Sequence, residues 1–210
     1  MISLVIINDK LNKHGEFLTT ALSLPASDKE LQLAAINIKL DKFNKIDYHY
    51  TDYSFNKLPD MDKELICNTD IYELNLLAYK LSELNESELL NYEALITDRA
   101  NVTGIDLINI AYQLDESIYT ILFDVHDLDD LGRWYTNEQS PDLPVEIFDN
   151  IDFEDVGYDL QATENGVLTS VGYIRNFYEK FEPNYDGTNL YKLITEAREQ
   201  HGKSIQITNM

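Results

Sequence analysis

The chain has 210 residues, 44% hydrophobic and 11% aromatic, enough for one sizeable core or two to three small ones and too apolar for a disordered chain. Its charge is the outlier: 38 Asp and Glu against 16 Lys and Arg give −22 at pH 7. That balance excludes binding DNA, RNA or an anionic membrane through a basic surface, because each requires local positive potential.

The first sixty residues read as a small α+β unit. Ser3 to Ile7 and Glu16 to Leu24 have strand character, with a turn around Asn12 to Gly15. Ser27 and Glu30 form a capping box, and the helix it opens runs to about Ile38 with Leu31, Ala34, Ala35 and Ile38 on one face. Ile46 to Tyr53 alternates as a third strand, placing Ile46, Tyr48, Tyr50 and Asp52 on one side. Asn56 to Asn68 reads as a connector.

A second capping box, Asp70 with Glu73, opens a helix whose Ile71, Leu74, Leu77, Ala78, Leu81 and Leu84 face inward and whose Glu73, Lys80 and Glu83 face out. Asn85 to Glu88 starts another helix, with Leu89, Tyr92, Leu95 and Ile96 packing. Thr103 to Asp106 starts a third, with Ile105, Ile108, Ala111 and Tyr112 inward. Three short helices with tight connections predict a bundle.

Tyr119 to Phe123 is a β-prone run leading into the acidic stretch Asp124 to Tyr135. Pro144 suits the first turn of a short helix through Phe148, and Ile151 to Leu160 reads as an acidic helix. Asn165-Gly166 turns into a strand from Val167 to Tyr173. Thr188 to His201 reads as a terminal amphipathic helix with Leu190, Leu193, Ile194 and Ala197 on its apolar face.

Charge follows these divisions. Net charge is −1 over residues 1–60, −9 over 61–120, −12 over 121–172 and zero over 173–210. Arg133 is the single base among 13 acids in the third stretch. A solubilising surface explains acidity but not its concentration between two nearly neutral ends.

Familiar catalytic motifs are missing from the sequence. It has no Gly-rich phosphate loop, no Gly-x-Ser-x-Gly and no His-Glu-x-x-His. Asp124, Asp127, Asp129 and Asp130 are the most enzyme-like group, the basis of a metal-dependent hydrolase alternative, yet they lack the spacing and central Gly of a calcium loop. An acidic helix start, favoured by the helix dipole, is the simpler reading, and neither a metal nor a cofactor is expected. Cys67 stands alone, so no internal disulfide or cysteine metal site forms. No segment approaches the ~18 apolar residues of a spanning helix. Met1 to Ile7 has no basic lead, so no secretory leader is expected. The protein is expected to be soluble and cytoplasmic.

Surface carboxylates that neither catalyse nor bind metal can imitate phosphate. Duplex DNA carries one charge per ~1.7 Å, so the net charge of residues 61–172 matches roughly 36 Å of duplex. The candidate phosphate-mimic acids are Glu73, Glu83, Glu86, Glu88, Glu93, Asp106, Asp115 and Glu116, then Asp124, Asp127, Asp129, Asp130, Glu138, Asp142, Glu146, Asp149, Asp152, Glu154, Asp155 and Asp159.

Several segments carry a family likeness. They are Gly15-Glu16-Phe17, Leu24-Pro25 before Ser27 to Leu33, Tyr50-Thr51-Asp52-Tyr53, and Tyr72 to Ala78. Asp127 to Tyr135 and Ile151 to Leu160 complete the set. Together they resemble the ArdA-type antirestriction proteins of plasmids, conjugative transposons and phages. Asp127-Leu128-Asp129-Asp130-Leu131-Gly132-Arg133-Trp134-Tyr135 is similar to the family's antirestriction motif. The likeness runs from about residue 1 to 175 and leaves 176–210 as an extension.

The resemblance implies an elongated α+β chain. Its parts are a small αβ domain (1–60), a helical bundle (61–117) and an acidic αβ domain with the motif and dimer contact (118–175). The extension (176–210) is expected to pack on the third domain. It implies a non-enzymatic DNA mimic that forms a homodimer, binds neither nucleic acid nor membrane, and fills the DNA groove of type I restriction–modification enzymes at their specificity and modification subunits. Another DNA-binding defence protein, such as a CRISPR effector, is the alternative target. Leu128, Leu131, Gly132, Arg133, Trp134 and Tyr135 are the expected motif and dimer contact, with Arg133 an intramolecular or dimer pairing partner.

Overall fold

In the computed structural model, which describes residues 2–56, 63–97, 99, 102–114, 119–177 and 182–208, strand β1 (Ile2–Asn8) lies between β2 (Thr19–Leu24) and β3 (Tyr48–Phe55). It is antiparallel to both. Alternation turns Leu22 and Leu24 of β2 inward and Ala21 and Ser23 outward. The turn expected between β1 and β2 begins as a short helix, α1 (Asp9–Asn12), because Asn8 caps it by accepting from Leu11 N at 3.1 Å. Helix α2 (Asp28–Asn37) starts at the expected capping box and buries Leu31, Ala34 and Ala35.

Strand β3 departs from simple alternation. Tyr48 and Tyr50 are buried as expected, but Ile46 precedes the strand and is 78% exposed. A register shift places Tyr50 opposite Ile6 and Asp52 opposite Val5, leaving Thr51 as an extra residue. The bulge reverses the inward parity, so Phe55 is buried and Asp52 faces out.

The stretch expected as a connector ends in helix α3 (Lys63–Asn68), whose Ile66 is fully buried; its residues 57–62 lie outside the described residues. Lys45 closes this helix, donating to the carbonyls of Cys67 at 2.6 Å and Thr69 at 2.7 Å. Burial there pulls the Lys45 pKa down.

Helix α4 (Ile71–Glu83) has the expected capping box and apolar face. Asn75 joins it to the loop between β2 and α2, accepting from Ala26 N at 2.7 Å and donating to Ala26 O at 3.0 Å. The expected boundary at residue 60 therefore does not divide the packing. Residues 1–89, 101–112 and 183–210 form one unit, and 90–100 with 113–182 form a second.

The expected bundle is also rearranged. α4 packs against α6 (Gly104–Tyr112) and α10 (Leu190–Thr208), while α5 (Glu86–Thr97) runs from the first unit into the second. In α6 the inward face is Leu107, Ile108, Ile110 and Ala111, and Ile105 is exposed. Asn176 and Phe177 stay with the acidic unit, but from residue 183 the extension belongs to the first unit and its α10 packs on α4, which corrects the expected place of that part on the acidic domain. Leu193, Ile194 and Ala197 are buried there. Tyr185 anchors the segment: its N–H and C=O both bond the Asn109 side chain at 2.8 Å, and its hydroxyl donates to Glu73 at 2.8 Å. Arg198 then makes a two-pronged bond to Asp28, 2.7 Å on each arm.

In the second unit, β4 (Thr120–Leu122), β6 (Gly172–Arg175) and β5 (Val167–Thr169) form an antiparallel sheet in that order. The strand expected over 167–173 is thus a hairpin, with Gly172 in a left-handed conformation at φ +141°. Helices α7 (Leu128–Gln139), α8 (Val145–Phe148) and α9 (Phe153–Glu164) complete the unit. Its core is Val125, Leu131, Leu160 and Tyr173, with Leu122, Trp134, Tyr135 and Leu168 packed around it. Among the described residues no helix is long and apolar enough to cross a membrane.

Candidate functional site

The acidic surface is built on α7 and α9. Each begins at an aspartate cap: Asp127 accepts from Asp130 N at 2.8 Å, and Asp152 accepts from Asp155 N at 3.3 Å. Asp130 accepts in turn from His126 N at 3.1 Å. These bonds satisfy backbone donors at the positive helix ends and hold carboxylates at the surface at little cost.

The helices cross at two glycines. A Cβ on Gly132 of α7 would stand 2.0 Å from the Phe153 carbonyl oxygen; one on Gly157 of α9 would stand 2.0 Å from that of Leu128. Backbone meets backbone at both points, which no larger residue permits. The crossing leaves the outer faces to polar residues. Asp124, Glu138, Asp142, Glu146, Asp149, Glu154, Asp155 and Asp159 are all exposed.

Arg133 pairs with Asp129 one turn back at 2.5 Å, and its guanidinium lies 4.3 Å from the centre of the Phe153 ring. Donation to the Asp129 carboxylate holds the Arg133 pKa above its ordinary value. This pair lies within the chain, the first of the two kinds of pairing expected for Arg133. A second arginine, Arg175, donates to Glu164 at 2.9 Å, with Tyr173 buried beside the pair.

Several candidates have other roles. Glu73 and Glu83 do not face open solvent: Glu73 accepts from Tyr185 and from Asp70 N at 3.1 Å, and Glu83 pairs with half-buried Lys80 at 2.6 Å. Glu88 bonds Asn85 N at 2.8 Å and Asp106 bonds Thr103 N at 2.9 Å, each at a helix start. Glu86 is exposed and Glu93 half-buried. Asp115 and Glu116 lie outside the described residues.

Leu131 and Gly132, expected as dimer contacts, are buried inside the unit, one in its core and the other at the crossing. Trp134 and Tyr135 lean on the same core, and Leu128 is half-buried. For the Asp124, Asp127, Asp129 and Asp130 group, the cap and the arginine pair already engage Asp127 and Asp129. Among the described residues, no three His, Cys, Asp or Glu side chains are grouped to hold a metal ion.

Sequence reasoning missed the part played by Gly157 and the Glu164–Arg175 pair. A glycine within an acidic helical pattern was the available signal for the first. A pairing across eleven residues carries no local signal.

The chain is thus an acidic α+β protein whose exposed carboxylates gather on a glycine-crossed helix pair. The family model described as antirestriction protein (ArdA) matches residues 12–175, so the chain belongs to the ArdA family and is an antirestriction protein. The extension carrying α10 lies beyond the matched residues. No curated protein matches the sequence.

Proposed function

We propose that this antirestriction protein is a DNA mimic that acts without catalysis, occupying the DNA-binding groove of type I restriction–modification enzymes. It blocks restriction together with modification and so protects incoming mobile-element DNA. The observation that carries the reading is the face built on α7, α8 and α9, where acids predominate and the single base, Arg133, is neutralised by Asp129. A groove lined with Lys and Arg attracts such a face as it attracts phosphates. Carboxylates one helical turn apart lie about 5.4 Å from one another along the axis, close enough to follow a phosphate chain. Acting as a homodimer through the acidic unit doubles the length of duplex imitated.

The test is competition. The chain should displace a DNA duplex from a purified type I methyltransferase core, with affinity falling steeply as salt rises from 50 to 300 mM. An equal mass of a neutral protein should leave the duplex bound. Failure of the chain to displace DNA at low salt sinks the proposal. The extension, whose α10 is bound into the first unit, supplies no separate support for redirection toward a CRISPR effector.

A further inference from the structure

The chain treats its own arginines in one way. Arg99, Arg133, Arg175 and Arg198 lie over the rings of Phe177, Phe153, Trp134 and Tyr79, at 4.6, 4.3, 5.9 and 6.0 Å. The last three are also paired with a carboxylate: Asp129, Glu164 and Asp28 respectively. A ring supplies a face for the flat guanidinium while a carboxylate receives its N–H fork.

The same combination stands at the surface of α9. Tyr158 is 64% exposed. Glu154 and Asp155, four and three residues earlier on the same helix and both exposed, share its face, on the side toward which helical side chains lean. Among the described residues, no cation lies over this ring.

We propose that Tyr158 with Glu154 and Asp155 is a cradle for an arginine side chain of the partner's DNA-binding cleft. This rests on the DNA-mimic reading for the source of the arginine. A phosphate attracts Lys and Arg alike as charge, whereas a ring beside two carboxylates selects the planar cation. The cradle therefore adds a directional contact to a distributed field. Tyr and Arg are among the residues in which binding energy concentrates once an interface desolvates them.

The test uses the full chain and two probes of equal charge, a capped tri-arginine and a capped tri-lysine peptide, followed through the Tyr158 ring signals. The arginine peptide should bind about two- to fivefold more tightly, the range a ring contact supplies at an exposed site. Tyr158→Phe should keep that preference and Tyr158→Ala should abolish it. Equal affinities for wild type, or a preference that survives Tyr158→Ala, overturns the cradle. In competition for the methyltransferase core, Tyr158→Ala should bind about tenfold more weakly than Tyr158→Phe, since a desolvated contact is worth more. Equal competition by the two variants also overturns it. So does a loss that tracks a change in molar mass by light scattering, which would make Tyr158 a contact between copies. Should wild type fail to displace DNA at all, the mimic reading falls while the peptide preference still decides the cradle.

Discussion

Gly132 and Gly157 are reciprocal: each clears space for the backbone that precedes the other's crossing point, Phe153 on α9 and Leu128 on α7. Alanine is preferred over glycine in a helix interior by about 1 kcal/mol, so both positions forgo intrinsic helix stability for close approach. Gly132→Ala should reverse that gain. A Cβ 2.0 Å from a carbonyl oxygen must push the helices apart, and overpacking of this kind costs about 1–3 kcal/mol or more. We expect a clear drop in the melting temperature for either alanine variant. Because both act on one crossing, the double variant should lose less than the sum. A variant that melts like wild type would show that the helices already stand further apart.

Local rules were the legible part of this fold. The capping boxes at Ser27 and Asp70 need only a few neighbouring residues, and each opens a helix near its expected position. The aspartate caps at Asp127 and Asp152 are equally local, but the sequence reading did not single them out. What failed were inferences that depend on distant partners. A bulge at Thr51 inverted the parity of β3, and a hairpin replaced the single strand expected over 167–173. The amphipathic face of α10 was visible in its periodicity, but periodicity does not say which surface it covers. The acids of the site were legible as a list. Their division into capped, paired and open carboxylates was not, because Glu73 is engaged by a tyrosine 112 residues away.

Asn109 is expected to be the most sensitive residue of the carboxyl-terminal segment. Its amide satisfies both backbone groups of Tyr185, itself 2% exposed. Asn109→Ala leaves a buried N–H and C=O unpaired, at roughly 1–3 kcal/mol for each. Thermal unfolding should shift accordingly, and amide exchange should accelerate through α10. Removing 183–210 outright should lower stability further by uncovering the apolar face of α4. Unchanged exchange in Asn109→Ala would show that α10 is held by its apolar contacts alone.

The Arg198–Asp28 bond makes part of this anchorage pH-dependent. The guanidinium bonded to it holds the Asp28 carboxyl below its ordinary value of 3.8. A carboxyl depressed in the folded state contributes stability above its unfolded pKa and loses it as pH falls through the folded one. Asp28 is largely exposed, so the pair is worth about 0–1 kcal/mol. Arg198→Ala should melt slightly lower than wild type at pH 7, and the gap should close as pH drops below the carboxylate range. A gap that is constant with pH would assign the effect to the contact of Arg198 with Tyr79 instead.

Charge on α7 to α9 should act in aggregate. An exposed carboxylate facing a cation across water is worth about 0–1 kcal/mol, so no single amide substitution among the open acids should abolish inhibition. Asp129→Asn is a special case, because it also releases Arg133, whose freed guanidinium places a positive charge on the acidic face. It should therefore weaken binding more than Glu146→Gln, which alters one exposed carboxylate on α8. Neutralising Glu138, Asp142, Glu146, Asp149, Glu154 and Asp159 together removes six charges without touching a cap or the crossing. Inhibition of restriction should fall by at least an order of magnitude, the salt dependence of binding should flatten, and the circular dichroism spectrum should stay native. If the six-fold variant inhibits at full strength with the fold intact, the acids are a solubilising surface and recognition lies elsewhere on the chain.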